Sequence, residues 1–472
     1  MNKLKTVMFT LGIITQINAY AISTKRVDEL AQAFMVKNNV EGMSVAVIEN
    51  GQTRIRNYGI ANSQSNTPTT NDTIYTIASF TKTVTATLAA IAVTENKLNL
   101  DAPFNQYIPE LKNFANLNNI TTRELLGHVG SFPFEFQPAP KNYSEVVNVL
   151  NHYVPSVLPG SEYQYSNVSI GAAGYVLQNV YAKNYQHILN DKLLKPLDMH
   201  STYLIVPAAK ESLMALGHTP DSQPVPYAKS DDVWFAATKL KSNIVDMSKY
   251  LNAHLDPSTV KDKVVATAIP KAHENNYCFS NKLSCEQLAW QAHIISELQN
   301  STGDSGFIAF NADGNPIFAK QAIVPNTEFA KTKLFIDKTG SGYGMSSYMA
   351  YIPEDKTGVV ILINKTIGDE RIRLGRDILA DNNEQQAINK LVHEYMSAYE
   401  HRDAKTIGKF YTPTATVIGT GSDEIIQGRK QIIAAFKRDF AQSTAATVST
   451  EEITHHILGN NAWVSYFVLV DV

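Results

Sequence analysis

Three short groups in the 472-residue chain carry side chains that could do chemistry: Ser79-Phe80-Thr81-Lys82, Tyr165-Ser166-Asn167 and Lys338-Thr339-Gly340. A serine hydroxyl attacks a carbonyl carbon well only when a base removes its proton. A tyrosine flanked by ammonium groups can become that base, because the positive charge lowers its pKa from about 10. Together the groups supply a nucleophile, two lysines, a phenol and an amide, which are the parts of an acyl-transfer site. Alone each is weak: Ser-x-x-Lys is expected by chance about once or twice in a chain of this length. The chain holds decoys of all three, namely Ser258-Thr259-Val260-Lys261, Tyr250-Leu251-Asn252 and Lys356-Thr357-Gly358.

The surrounding pattern separates them. Ser79 follows a strand-like run, Thr73 to Ile77, and opens a helix whose apolar face is Phe80, Val84, Leu88 and Ile91. A serine there meets free backbone N–H groups and the positive end of the helix dipole, and Lys82 lies one turn on, on the same face. Lys338 closes the strand Leu334 to Asp337, which runs into Gly340-Ser341-Gly342. Small residues let a flat substrate lie along such an edge, with the Ser341 N–H directed at a developing oxyanion. Ser258 sits in an Asp-Pro-Ser turn, Lys356 in a polar turn between strands, and Tyr250 inside an amphipathic helix. These three read as structural.

Other elements must hold the groups in place. Residues 24 to 39 have a helical apolar pattern. Met43 to Ile48 and Thr53 to Ile60 flank Asn50-Gly51, a hairpin signal. Residues 79 to 300 are mostly helical in pattern, and strand-like runs return at Pro316 to Ile323, Lys333 to Lys338, Met345 to Ile352 and Val359 to Ile363. The pattern implies a mixed α/β (α+β) fold: an antiparallel sheet closed by the two ends of a domain, flanked by helices, with an inserted all-helical region. That domain spans 22–382. A second unit, 383–472, reads as a small α+β cone-like domain, with helical spacing from Ile388 to Tyr399, a strand at Ala415 to Ile418, a helix from Arg429 to Phe440, and strands at Thr447 to Ile457 and Ala462 to Val470.

Residues 1–21 have the form of a signal peptide, with Lys3 and Lys5, an apolar run from Val7 to Ile17, and Ala19-Tyr20-Ala21 as the cleavage site. Cleavage after Ala21 implies a periplasmic or secreted protein. No segment is long and apolar enough to span a bilayer. The formal charge of −3, with 44% hydrophobic and 18% charged residues, argues against a nucleic-acid partner and for a small-molecule substrate. Cys278 and Cys285, the two cysteines, suit one loop-closing disulfide in an oxidising compartment. No metal site and no cofactor is expected.

Over residues 25 to 380 the chain resembles class C β-lactamases and their penicillin-recognising relatives. The serine–lysine and Lys-Thr-Gly groups match known signatures of serine β-lactamases, with Tyr-Ser-Asn between them. The likeness extends through Lys97-Leu98-Asn99-Leu100-Asp101-Ala102-Pro103, Tyr107-Ile108-Pro109-Glu110-Leu111, Lys195-Pro196-Leu197-Asp198-Met199 and the stretch from Lys338 to Lys365. The resemblance implies a Ser79 acyl-enzyme, with Tyr165 as base between Lys82 and Lys338. It also implies an oxyanion hole of the Ser79 and Ser341 N–H groups, and Asn167 binding the substrate amide and Lys82. Thr339, Gly340 and Arg371 would serve the substrate, Thr339 and Arg371 at its carboxylate. A solvated helix charge is the other reading of Arg371.

Three departures bear on substrate. The loop Leu125 to Pro133 is only loosely similar. Glu135 stands where the family usually carries a glutamine that contacts the substrate's side-chain amide. Gly368 replaces an asparagine near the carboxylate. His128 reads as a hydrogen-bonded structural histidine. The tail from Asn383 is similar to SnoaL-like (ketosteroid-isomerase-like) domains, and its apolar last strand, Trp463 to Val472, leaves a sheet edge open. A shortened frame or a partner would account for that edge, a dimer through this domain being one form. Two other functions stay open for the main domain: a penicillin-sensitive D-Ala-D-Ala peptidase or small-ester hydrolase acting on peptidoglycan-like substrates, and a non-hydrolysing β-lactam sensor.

Overall fold

The computed structural model describes residues 5–9, 22–111, 114–227, 233–274, 277–279, 283–298, 307–310, 316–318, 320–324, 329, 333–342, 344–411, 413–414, 416–418, 425–442, 445–447, 454–458 and 461–471. They fall into two compact units, one of Thr24–Leu379 and one of Ala380–Val472 with Met1–Ser23.

The larger unit is built on an eleven-stranded antiparallel sheet. Strands β1 (Gly42–Glu49) and β2 (Gln52–Asn62) form the expected hairpin, with Asn50 and Gly51 at positive φ in its turn. The strands from the other end of the domain are β3 (Leu334–Gly342), β4 (Met345–Ile352) and β5 (Thr357–Ile363). β5 pairs with β1, Ile363 opposite Met43, so the two ends of the domain close one sheet. Beyond β3 the sheet continues through Gln291–Ile294, Ser284–Glu286, Tyr277–Phe279 and Gln321–Val324 to Glu162–Tyr163. That last short strand comes from the helical region and delivers Tyr165 two residues later. All eight residues of β1, of β4 and all seven of β5 are buried, as expected of strands covered on both faces.

Helix α1 (Phe80–Thr94) runs through the core, with every residue from Phe80 to Ala92 buried. Its threonines are tolerable there because each hydroxyl finds a partner: Thr83 bonds the Phe80 carbonyl, and Thr87 the Thr83 carbonyl. Of the run Thr73 to Ile77, only Tyr75–Thr76 is a strand, paired with Lys241–Ser242. Cys278 and Cys285 face each other across neighbouring strands and are bonded. Helix α2 (Glu370–Glu400) covers 31 residues and crosses the boundary expected between 382 and 383; the compact units divide at Leu379 and Ala380.

In the smaller unit, Ala404–Lys409 and Arg429–Gln442 are helical, with Tyr395, Tyr399, Tyr411, Phe436 and Phe440 in ring contact. The expected strand Thr447 to Ile457 is two strands, Ala445–Thr447 and Thr454–Leu458, separated by residues outside the description. Both pair with the last strand, Asn461–Asp471. The edge of that strand is met by Lys5–Phe9, antiparallel, with Lys5 opposite Val470 and Phe9 opposite Tyr466. The cleavage motif Ala19-Tyr20-Ala21 lies outside the described residues.

Candidate active site

Ser79 stands at the N-cap of α1 but does not cap it: its side chain makes no bond to the first-turn N–H groups. The hydroxyl instead accepts from the Lys82 ammonium at 3.0 Å. The residue before it, Ala78, has φ of +46°, a left-handed conformation that costs an ordinary residue about 1–2 kcal/mol. This kink turns the chain sharply into the helix and leaves Ser79 half-buried among buried neighbours.

Lys82 is fully buried and spends its three N–H donors on Ser79 Oγ, on Asn167 Oδ1 at 2.6 Å and on the Ala237 carbonyl at 3.1 Å. Burial pushes its pKa down and nearby Lys338 adds to this, while Tyr165 pulls the other way. Asn167 opens the helix Asn167–Tyr181, capped by Ser166, and its backbone N–H bonds the Phe134 carbonyl. Its side-chain amide donates to Glu135 Oε1 at 2.9 Å. One chain of contacts thus runs Ser79–Lys82–Asn167–Glu135.

Tyr165 is 5% exposed and lies between the lysines, its ring centre 4.9 Å from Lys82 Nζ and 4.8 Å from Lys338 Nζ. Lys338 Nζ lies 3.5 Å from the phenolic oxygen. Burial alone would raise the phenol's pKa; the charges of Lys338 and then Lys82 outweigh it and bring the value down to about 8. The ring also packs against His128, 4.5 Å between centres, and against Phe134. His128 accepts the Ser166 N–H on Nδ1 at 3.1 Å, which fixes it as a neutral imidazole. Its pKa is held well below the usual histidine value by burial, then by Lys338 and Lys82. The histidine therefore orients the chain leading from Tyr165 to Asn167.

Strand β3 forms the opposite wall. Its neighbour Gln291–Ile294 pairs only with Leu334 to Asp337, so among the described residues the Lys338–Gly342 edge has no strand on that side. Gly340 faces the nucleophile turn: a Cβ there would collide with the Ile77 carbonyl and Ser347 Oγ and come within 3.3 Å of the Ser79 nitrogen. Ser347 Oγ donates to that same Ile77 carbonyl at 3.1 Å, holding turn and sheet together. Alternation along β3 places Thr339 on the face opposite Lys338, half-buried, and leaves Ser341 exposed.

Arg371 is not a solvated charge. It is 7% exposed, and its Nη1 donates to the Ile367 and Gly368 carbonyls. The structure places it as a tie on that loop, and its recorded bonds join it to none of the Ser79 cluster. The decoys are accounted for: Ser258 bonds Asp256, Lys356 pairs with Asp256 at 2.7 Å, and Tyr250 is buried with its hydroxyl on Thr83 and Thr87. Sequence reasoning missed the Ala237 carbonyl and the left-handed Ala78, neither of which has a side-chain signal. Among the described residues no group of three or more His, Cys, Asp or Glu could hold a metal, and no helix is long and apolar enough to cross a membrane.

Known proteins resemble this chain in both of its domains. The β-lactamase family model matches residues 27–382, and the SnoaL-like domain model matches residues 388–472. A β-lactamase of Pseudomonas fluorescens is 28% identical over 362 residues, 75% of this chain and 97% of that protein. A crystal structure of a class C β-lactamase aligns with TM-score 0.66 and 27% identity, over 75% of this chain and 96% of that one. A β-lactamase/D-alanine carboxypeptidase from Pseudomonas syringae aligns with TM-score 0.67 and 26% identity, over 75% and 97%. The chain therefore belongs to the β-lactamase family of serine hydrolases, class C-like in its main domain, and carries a C-terminal SnoaL-like domain.

Proposed function

We propose that the protein is an exported β-lactamase that opens the lactam ring through an ester on Ser79. The observation that carries this reading is the Tyr165 phenol set between two ammonium groups beside a half-exposed, lysine-bonded serine. Tyr165 takes the Ser79 proton as Oγ adds to the lactam carbonyl carbon. The C–N bond then breaks, and Tyr165 returns the proton to the leaving nitrogen. The Tyr165 phenolate so regenerated takes a proton from the water that adds to the ester and returns it to Ser79 Oγ as the ester C–O bond breaks. The Ser79 and Ser341 N–H groups hold the oxyanion, a contribution of about 3 kcal/mol per donor. Asn167 and Glu135 meet the substrate's side-chain amide. Thr339 meets its carboxylate, with Arg371 acting through the Ile367–Gly368 loop that it ties.

A D-Ala-D-Ala peptidase is the second reading, supported by the solved relative whose description joins both activities. The two part at deacylation, since both acylate. Nitrocefin turnover by the purified full chain tests the proposal. Many turnovers per minute support it, while an acyl-enzyme that persists for minutes with every lactam tried assigns the protein to the peptidases. N-terminal sequencing of protein recovered from the periplasm should begin at Ile22; retention of Lys3 there would overturn cleavage after Ala21, and protein confined to the cytoplasm would overturn the export reading.

A further inference from the structure

Behind the catalytic lysine lies a second group of buried charges that the mechanism does not use. Asp337 precedes Lys338 in β3, so its side chain lies on the reverse face of the strand. There it is 4% exposed and accepts three side-chain bonds from three different elements. Tyr348 of β4 donates at 2.7 Å, Arg376 of α2 at 2.9 Å, and His293 of the neighbouring strand lies at 3.2 Å. Arg376 is 3% exposed, bonds Tyr348 through Nε at 3.2 Å and stacks over the Phe335 ring. The helix can approach this closely because residue 375 is glycine; a Cβ there would strike the Tyr348 ring.

A buried ion pair seldom adds net stability, because desolvation of two charges offsets their attraction. Its placement suggests another use. The site face of the same strand must keep Gly340 against the Ser79 nitrogen and Lys338 against Tyr165, and a shift of a few tenths of an ångström alters both. We infer that Asp337 and Arg376, with His293 and Tyr348, are positioning residues that fix β3 against the nucleophile and balance the charge against which Tyr165 gives up its proton. This rests on the reading of Tyr165 as the base.

Tyr165 faces Lys338 from β3, Lys82 and Ser79 from the nucleophile helix, and neutral His128 from its loop. Lys338 and Asp337 also face Glu286, a fully buried carboxyl that burial pushes up to about 8 against the pull of Lys338. Arg371 adds a charge near Tyr348. Despite burial, His293 and Arg376 keep the Asp337 carboxyl well below the usual carboxylate range, so this pair stays charged throughout the working pH range.

The test uses charge deletions of opposite sign. Asp337→Asn leaves Arg376 unbalanced, and the added positive potential favours the phenolate. The acidic limb of Ser79 acylation by nitrocefin should then move to lower pH, by about half a unit. Arg376→Gln leaves Asp337 unbalanced, and the limb should move up by a similar amount. The double variant should return to the wild-type limb, with a slower plateau from the loosened strand. A purely structural role would slow acylation in every variant without moving the limb in opposite directions. One folded single variant, checked by near-UV circular dichroism, is enough to decide. Limbs that coincide with wild type overturn the inference and leave the reading of the base intact. If neither single variant folds, the cluster is a fold anchor and the charge balance is refuted. A wild-type protein that does not acylate refutes the reading of the site and this inference with it.

Discussion

Around Ser79, two lysines and a tyrosine converge on a hydroxyl that is half open to solvent. On another side of the same unit His254 and His273 take part in a hydrogen-bonded chain of comparable length. His273 Nδ1 meets Gln287 Oε1 at 2.8 Å and its Nε2 meets His254 Nδ1 at 2.6 Å; His254 Nε2 then meets the Thr87 hydroxyl at 3.4 Å. The Tyr351 hydroxyl also meets His273 Nε2, at 2.9 Å, and the Tyr250 hydroxyl meets Thr87 at 3.0 Å. Each imidazole can be neutral, donating on one nitrogen and accepting on the other. Burial depresses both histidines, His254 further by its neighbour His273, and His273 falls to about 4. Both clusters are polar and hydrogen-bonded. Only the first gathers like charges around an atom that a substrate can reach, and that separates a reactive site from a well-satisfied core.

The largest expected effect breaks the first cluster at its centre. Ser79→Ala should lower nitrocefin turnover by about 10⁴-fold or more, because it removes the hydroxyl that Lys82 bonds. Intact-mass measurement with a slow lactam should show one adduct in wild type and none in the variant. Midpoints of denaturant unfolding should agree closely, since the hydroxyl caps no helix. An adduct that survives Ser79→Ala, or maps to Ser258, would sink the assignment.

Tyr165→Phe comes next and asks whether one base serves both halves of the reaction. It keeps the ring between His128 and Phe134 and removes the oxygen. Acylation and deacylation should each slow by about 10² or more, the lower range of general-base contributions. Stopped-flow measurement of the two steps separates them. A variant that acylates slowly but deacylates at the wild-type rate would reveal a second base.

The histidine cluster should respond in the opposite sense. His254→Leu removes one hydrogen-bond partner from each of His273 and Thr87 and should cost about 2–3 kcal/mol in urea unfolding while kcat stays within about twofold. The pH dependence follows from the depressed values. Both histidines bind protons more readily unfolded, near 6.5, than folded. Their contribution is complete above about pH 6.5 and is lost as the pH falls towards 4. The variant's stability should therefore fall less steeply than the wild type's over that window; parallel curves would show that these histidines do not carry the acid sensitivity.

What the sequence reveals of this contrast follows the range of each signal. Ser79 and Lys82 are three residues apart on one helix, and the hairpin of β1 and β2 is a local turn, so both are legible. Tyr165 and Lys338 are legible as short motifs, though their 3.5 Å approach depends on a sheet that closes across the whole domain. The pairs Asp337–Arg376 and His254–His273 join residues with no shared local pattern, and only packing brings them together. Arg371 shows the converse: its residue type fits a carboxylate ligand, yet the fold turns it onto the Ile367 and Gly368 carbonyls. Charge and spacing indicate what a side chain can do, and tertiary contacts select which partner it meets.

The smallest effect concerns selectivity at the mouth of the first cluster. Glu135 is half-buried and accepts from the Asn167 amide, and its charge favours the ammonium form of Lys82. Glu135→Gln keeps the shape and an oxygen for that bond but removes one negative charge. At about 7 Å and an effective dielectric of about 40, a substrate charge interacts with that carboxylate by roughly 1 kcal/mol, or about fivefold. Three penicillins that differ only in the α-substituent of the acyl group report it directly: an ammonium, a hydrogen and a carboxylate. In wild type, kcat/KM should rank ammonium above hydrogen above carboxylate. In Glu135→Gln the ratio of each charged substrate to the neutral one should contract by about three- to tenfold, mostly through KM, because a ground-state charge contact acts on binding before chemistry. Raising the salt concentration should narrow the wild-type spread and leave that of the variant nearly unchanged. Equal ratios in the two proteins would show that the substrate does not sense this carboxylate, whose work would then be confined to holding Asn167 and Lys82.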